Sequence, residues 1–308
     1  MITSIFSKSK PINFIIVFFV SLLAFITARI TGFNDVEVSG LYIFKQVVLF
    51  FLCIISILLL NFIISKNSLS KNTNYEILLY SLFLLVLSQT TINTNILFSN
   101  FFVLLGLRRI ISLRSQNNVK KKLFDAAFWI AIAALFYFWS ILFFVLIMIS
   151  LILYTDNKIN HWVIPFTGVA VVFIITVGIS IIFNNTFFDS FKSLPEVSFD
   201  YNSYNSLQYL IAITVLFSFG IWSSLFYIKS IKQKKKAFRA SFNSILVAFL
   251  LSFLIVIIAP QKSGSEFLFM FAPLSIIIAN YIEVIEEKWF KEVFLSALIL
   301  VPFILLLL

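Results

Sequence analysis

From Ile12 onward the sequence is a succession of long apolar runs, and the longest stretch separating two of them is about 22 residues, Asn184–Asn205. Each run is near the ~20 residues that an α-helix needs to cross a hydrocarbon core of roughly 30 Å. Nothing between them is long enough to fold as a soluble domain. Charged residues make up 12% of the chain and apolar ones 61%, about half the charge that an ordinary soluble domain carries. No water-soluble core encloses that much apolar surface. In a bilayer every backbone polar group must be satisfied inside the protein. The expected fold is therefore all-α: a polytopic transmembrane helical bundle, with residues 1–308 forming a single integral membrane domain.

The charges orient this bundle. Lys8 and Lys10 precede the first apolar run, which lacks a small-residue cleavage site, so a retained first helix with its N-terminus inside is expected. Span one is placed at Ile12–Gly32 and span two at Leu41–Ile64. Residues Glu76–Leu113 contain a polar break, T-T-I-N-T-N, at Thr90–Asn95, and end in the basic run Arg108, Arg109, Arg114 and Lys120–Lys122. A single span would put that run outside, so a hairpin of two short helices is expected. The 32 residues Leu123–Tyr154 would make one helix of roughly 48 Å, too long for the core. A second short-helix hairpin, turning near Phe136–Ser140, also keeps Lys229–Arg239 inside. Spans at His161–Phe183, Ser206–Ile228, Ser241–Ala259, Phe267–Val284 and Val293–Leu308 complete about eleven. Phe187–Leu194 is expected to lie as a short interfacial helix, and Glu283–Glu292 as an amphipathic inside link. All but four of the 23 Lys and Arg residues then lie inside, as the positive-inside rule requires. The four are Arg29, Lys45, Lys192 and Lys262.

The net charge of +10 resides in these connecting loops and is not a nucleic-acid footprint; membrane lipids are the expected contact. The single cysteine, Cys53, excludes an internal disulfide, and one cysteine with one histidine, His161, argues against a transition-metal centre. His161 beside Trp162 reads as an interfacial pair. No cofactor is expected, and the metal class left open is a divalent cation on carboxylates. No phosphate-cradling loop, dinucleotide fingerprint, zinc motif or nucleophile elbow is present.

The chemistry-bearing residues gather at the outer face. Arg29 lies about one turn inside the end of span one, where a cation must snorkel, pair, or bind a phosphate. Asp35 and Glu37 alternate in the following loop, share a face if it is extended, and suit a general base or a divalent-cation site; they equally suit a solvated acidic loop. Lys262 and Glu266, around Gly264, form a second outer cluster or a polar turn between helices. Asn93 and Asn95, with Asn100, either cap short helices or hydrogen-bond a sugar or headgroup.

Three stretches carry a resemblance: the N-in first helix followed by N-D-V-E; T-I-N-T-N-I-L-F-S-N-F-F-V-L-L-G-L-R-R with its basic loop and the apolar hairpin A-A-F-W-I-A-I-A-A-L-F-Y-F-W-S; and S-G-S-E-F-L-F-M-F-A-P-L-S-I-I-I-A. Together they resemble a reduced or divergent member of the GT-C superfamily, multispanning glycosyltransferases that take sugars from polyprenyl-phosphate carriers. The resemblance implies sugar transfer at the outer face of a bacterial cytoplasmic (inner) membrane. It implies Asp35 or Glu37 as the catalytic acid, with Arg29 and Lys262 near the carrier phosphate; Glu266, Asn93 and Asn95, polar groups at the same face, are the expected supporting residues. The chain also looks like a member of one of the uncharacterised bacterial inner-membrane families, for which fold alone would not fix function. The non-enzymatic alternatives are a membrane subunit of a cell-envelope complex, with a protein partner, and a transporter of a lipid-linked substrate. No inverted repeat is evident, and midspan positions are mostly Phe, Ile and Leu, which weighs against the transporter.

Overall fold

One proline and two serines set where three of the helices begin, and the left-handed backbone at Ser68 ends one of them. A computed structural model of the chain describes residues 2–31, 39–71, 73–154, 159–184 and 196–307. All regular structure among the described residues is helical: α1 (Ile2–Phe6), α2 (Pro11–Thr31), α3 (Gly40–Asn67), α4 (Tyr75–Val86), α5 (Thr94–Ser112), α6 (Val119–Phe136), α7 (Phe143–Tyr154), α8 (Ile159–Asn184), α9 (Leu207–Gln233), α10 (Lys236–Ile258), α11 (Leu268–Val284) and α12 (Lys288–Leu307). Pro11 opens α2, where its missing N–H costs nothing. Ser39 and Ser206 cap α3 and α9, their hydroxyls accepting from the N–H of Tyr42 and of Tyr209, which satisfies donors that the first turn leaves orphaned. Ser68 adopts φ 52° and returns its N–H to the carbonyls at the end of α3, a left-handed stop.

Among the described residues, eight helical segments are long and apolar enough to cross a membrane: Pro11–Ile30, Gly40–Asn67, Thr94–Ser115, Ile159–Phe183, Leu207–Gln233, Lys236–Ile258, Ser265–Val284 and Lys288–Leu307. Their outward faces are apolar. Ile174 and Ile182 of α8 are 67% and 76% exposed, far more contiguous apolar surface than water tolerates. The two long stretches expected to fold back do break. Helix α4 stops at Val86, and a 3₁₀ turn, Ser88–Thr91, separates it from α5. Helix α6 stops at Phe136, Tyr137 is extended (φ −145°, ψ 106°), and a 3₁₀ turn, Phe138–Leu142, leads into α7.

The chain divides into two compact units. The first holds residues 1–97, 200–234 and 262–308. At its centre α4 packs on α11, and α2, α3, α9 and α12 surround the pair. Every residue of α4 is buried, as expected of a helix apolar all round. Phe271 of α11 meets Phe83 and Tyr80 of α4 at ring-centroid distances of 5.7 and 6.1 Å.

The second unit holds residues 98–199 and 235–261. Its tightest joint is between α6 and α8. A Cβ on Gly168 would lie 2.9 Å from both the Ala127 Cβ and the Phe124 carbonyl oxygen. Only a hydrogen fits there, the close backbone approach that small residues allow between membrane helices. Helix α10 packs on α7, and the Tyr154 hydroxyl donates to Ser241 Oγ at 3.0 Å. The basic loop also braces itself. Lys122 Nζ donates to the Ser112 carbonyl and to Ser115 Oγ, both at 2.6 Å, closing the end of α5 as cations do at helix C-termini. Arg109 pairs with Asp125 at 2.9 Å.

One expected element differs. Glu283–Glu292 does not form a separate amphipathic link. Helix α11 runs to Val284, three residues intervene, and α12 starts at Lys288. The Ile285 N–H still bonds the Tyr281 carbonyl, and the Glu287 carbonyl already accepts from Lys291, so the two helices leave almost nothing between them. The proposed interfacial helix Phe187–Leu194 lies outside the described residues.

The α6–α8 joint is testable within one helix. Gly168→Val is expected to destabilise the protein by about 1–3 kcal/mol through overpacking. Gly178→Ala, also in α8 but with nothing within 4 Å of its Cβ position, is expected to be neutral or slightly stabilising. Thermal melting in detergent reads both, and equal melting of the two variants would contradict the close contact.

Candidate functional site

A broken helix in a bilayer leaves backbone groups without partners unless the protein supplies them. The turn after α4 is supplied from two directions, both within the first unit. From α2, the half-buried Arg29 reaches it with two nitrogens and α3 with the third. Nε donates to Gln46 Oε1 at 3.0 Å, one terminal nitrogen to Thr91 Oγ1 at 2.6 Å, and the other to the Thr91 carbonyl at 2.8 Å. The guanidinium also lies 3.6 Å from the centre of the Phe25 ring. From the entry to α11, Ser265 Oγ donates to the Gln89 carbonyl at 3.1 Å.

Glu266 follows Ser265 and is fully buried. Its carboxylate accepts from the Tyr204 hydroxyl, from Ser263 Oγ at 3.2 Å, and from the Gly264 N–H at 3.2 Å. The turn that aims these donors needs a glycine. Gly264 has φ 84°, and a Cβ there would sit 2.8 Å from the Tyr209 ring. Lys262 is buried, with its ammonium 4.7 Å from the centre of the Tyr201 ring, and burial lowers its pKa from the ordinary lysine value. A small cavity, ≈ 80 Å³, opens beside the turn among Thr27, Ser88, Gln89, Gln208 and Tyr209. It has room for a few waters.

Of the residues that the sequence singled out, Arg29 and the segment with Lys262 and Glu266 are thus brought to the two flanks of one four-residue turn. Asn93 is the cap of α5: its Oδ1 accepts from the N–H groups of Asn95 and Ile96 at 3.0 and 3.3 Å. Asn95 contributes its backbone to that cap, and its side chain is exposed. Asp35 and Glu37 lie outside the described residues. Among the described residues no group of three or more His, Cys, Asp or Glu side chains is placed to hold a metal ion.

The family model DUF6427, described as a family of unknown function, matches residues 1–307. The chain belongs to this family. No curated protein and no solved structure matches it.

The DUF6427 chain carries a second polar cluster, at the opposite ends of α4 and α11, that hydropathy did not single out. The Thr73 hydroxyl and the Lys71 N–H donate to Glu283 Oε1 at 2.6 and 2.9 Å. Asn280 Nδ2 donates to the Leu69 carbonyl at 2.9 Å. The Thr3 hydroxyl and N–H donate to Glu292, and the Tyr75 hydroxyl donates to the Thr3 carbonyl at 2.7 Å. Glu76 is 1% exposed, and among the described residues one of its oxygens has no hydrogen-bond partner. Lys234 is held below the ordinary lysine range by burial, partly offset by the nearby Glu283. The sequence signal was there: Glu76 and Glu283 are carboxylates at the edges of apolar runs. Hydropathy gives them no partner, because those of Glu283 lie 210 and 212 residues away.

Arg29→Met keeps the length of the side chain and removes its donors. It is expected to cost about 3 kcal/mol, since charge-assisted hydrogen bonds contribute about 1.5–3 kcal/mol each and the Thr91 carbonyl is left unpaired. Arg29→Lys keeps the charge but not the planar fork, and recovers only part of the loss. Melting of both variants at the wild-type temperature would show that the turn holds without Arg29.

Proposed function

We propose that this chain is a GT-C-like transferase. In this reading it moves a sugar from a polyprenyl-phosphate carrier at the outer face of a bacterial cytoplasmic membrane. The observation that supports the reading is the meeting of Arg29, Ser265 and Glu266 around one turn at one end of the first unit. That end also carries the start and finish of the chain segment with Asp35 and Glu37. Arg29 and Gln46, on either side of that segment, are hydrogen-bonded to each other.

The topology that goes with it has about eleven crossings and the N-terminus inside. Helix α4 with its turn, Tyr75–Thr91, and α7 with its turn, Phe138–Tyr154, each span roughly 26 Å, near the thickness of the core. Both 3₁₀ turns then lie toward the outer face, and the basic ends of α5 and α9 lie inside. Reporter fusions after Asn118 and after Lys236 are expected to read cytoplasmic; readings on opposite sides would remove one of the hairpins.

In the reaction, Asp35 or Glu37 takes the proton of an acceptor hydroxyl. The acceptor oxygen bonds to the anomeric carbon, and the bond from that carbon to the carrier phosphate breaks, releasing polyprenyl phosphate. Lys262 is the cation for the leaving phosphate. Arg29 is a positioning residue, because its donors hold the turn and Gln46. In proteoliposomes with a polyprenyl-phosphate sugar, Asp35→Asn or Glu37→Gln is expected to lower transfer by about 10²-fold or more, the usual contribution of a general base. Wild-type transfer in both variants would refute the base. A wild-type chain that transfers nothing but copurifies with a stoichiometric protein in mild detergent would favour the envelope-subunit reading.

A further inference from the structure

The end of the first unit that carries Lys229–Lys234 is basic, yet one cavity there is rimmed by acids. It is open, measures ≈ 420 Å³, and lies where α9, the end of α11 and the start of α12 meet. Phe226, Tyr281 and Phe290 form its wall, and Glu286 and Glu287 stand at its mouth. Both glutamates are exposed. The wall is ordered by its own contacts. Phe226 and Tyr281 lie 4.7 Å apart at 33°, and the Trp222 indole N–H donates to the Tyr281 hydroxyl at 2.8 Å. Lys229 Nζ sits 5.7 Å from the centre of the Phe226 ring. One rim of the cavity is therefore anionic, its wall is aromatic, and a cation stands beside one of the wall's rings.

Exposed apolar side chains stand near the cavity's residues in sequence on the same helices. Leu225 of α9 and Val293 of α12 are more than half exposed. Such a place suits a molecule with a long apolar tail and a headgroup bearing both charges. An ammonium in the cavity would face aromatic rings and two carboxylates, and a phosphate would meet Lys229. The paired glutamates disfavour a purely anionic headgroup, although the loop around them attracts one. They also distinguish among cations. A primary ammonium donates hydrogen bonds to carboxylates, and a quaternary one cannot.

We propose that this cavity is a binding site for the headgroup of phosphatidylethanolamine, with the ammonium between Glu286, Glu287 and the aromatic wall and the phosphate at Lys229. The site is separate from the turn that Arg29 holds, and it needs only a membrane around the chain. It therefore stands whether or not the protein transfers a sugar.

The test is native mass spectrometry of the full chain, delipidated in detergent and titrated with dioleoyl phosphatidylethanolamine, phosphatidylcholine or phosphatidylglycerol. One molecule of phosphatidylethanolamine is expected to be retained about tenfold more tightly than either of the others, the size of one cation–π contact together with one charge-assisted hydrogen bond. E286Q/E287Q is expected to abolish that preference, and Phe226→Ala to weaken it. The glutamates are exposed, so their replacement leaves the packing intact, and equal melting of variant and wild type checks this. Free ethanolamine at the same concentrations is expected not to displace the lipid, because the tail contributes to binding; displacement would mean that the headgroup alone is the ligand and would overturn the lipid assignment. Equal retention of the three lipids by the wild type, a preference for phosphatidylglycerol, or a preference that survives in E286Q/E287Q would each overturn the proposal.

Discussion

A helix that ends inside an apolar bundle must hand its free carbonyls to something, and the break between α4 and α5 is where this chain meets that demand. The accounting there is close. The Leu87 carbonyl accepts from the Thr90 N–H and hydroxyl, and the Ser88 carbonyl accepts from Thr91 Oγ1. The Gln89 carbonyl accepts from the Ile92 N–H and from Ser265. The Thr91 carbonyl accepts from Arg29. Of these six donors, two are backbone N–H groups, two are threonine hydroxyls of the turn itself, and two, from Ser265 and Arg29, come from segments remote in sequence. A buried carbonyl left without a partner costs about 1–3 kcal/mol, so the short α4, buried on all sides, depends on these donors being in place. The threonines at 90 and 91 are therefore components of the fold rather than polar interruptions of it.

The same economy governs the two carboxylates at the ends of α11. Helix α11 is buried along its length and meets a carboxylate at each end, Glu266 and Glu283. Neither is left in hydrocarbon without donors. Glu266 takes them from Tyr204, Ser263 and Gly264, and Glu283 from Lys71 and Thr73. Each carboxylate thus ties α11 to a segment that hydropathy alone would place anywhere around the bundle. In a bilayer, where apolar contact between helices has little advantage over contact with lipid, such polar ties and close backbone approaches fix which helices are neighbours. The second unit shows the other device at Gly168, where the Cβ of Ala127 and the backbone of α6 come within van der Waals contact of a glycine.

This division explains what could be read in advance. The helices were legible because their signal is local: long apolar runs, a serine or proline at the start, a basic end. The breaks near Thr90–Asn95 and Phe136–Ser140 were legible because length and charge placement left one uninterrupted helix untenable in each stretch. The neighbours were not legible. Nothing in the sequence says that Arg29 takes the Thr91 carbonyl or that Thr3 meets Glu292, since such pairs depend on tertiary placement. Asn93 shows the limit from the other side. Capping and sugar binding use the same amide, and only the positions of the Asn95 and Ile96 N–H groups assign it to the cap.

Within the proposed topology, the cations at the outer face also differ in their surroundings. Arg29 gives three nitrogens to Gln46 and Thr91 and lies on the Phe25 ring; removing it would unmake the turn before any phosphate was lost. Lys45 is exposed, where a single lysine holds a phosphate only weakly against solvent and salt. Lys192 lies outside the described residues. Lys262 is the buried one, with its pKa lowered by desolvation and its ammonium facing an aromatic ring. An anion brought beside a desolvated ammonium gains more than one brought beside a solvated lysine, because less water screens the pair. The same anion would restore the proton affinity that burial removes. A carrier phosphate is such an anion, and its polyprenyl tail would remain in the bilayer while the headgroup reaches the level of the turn.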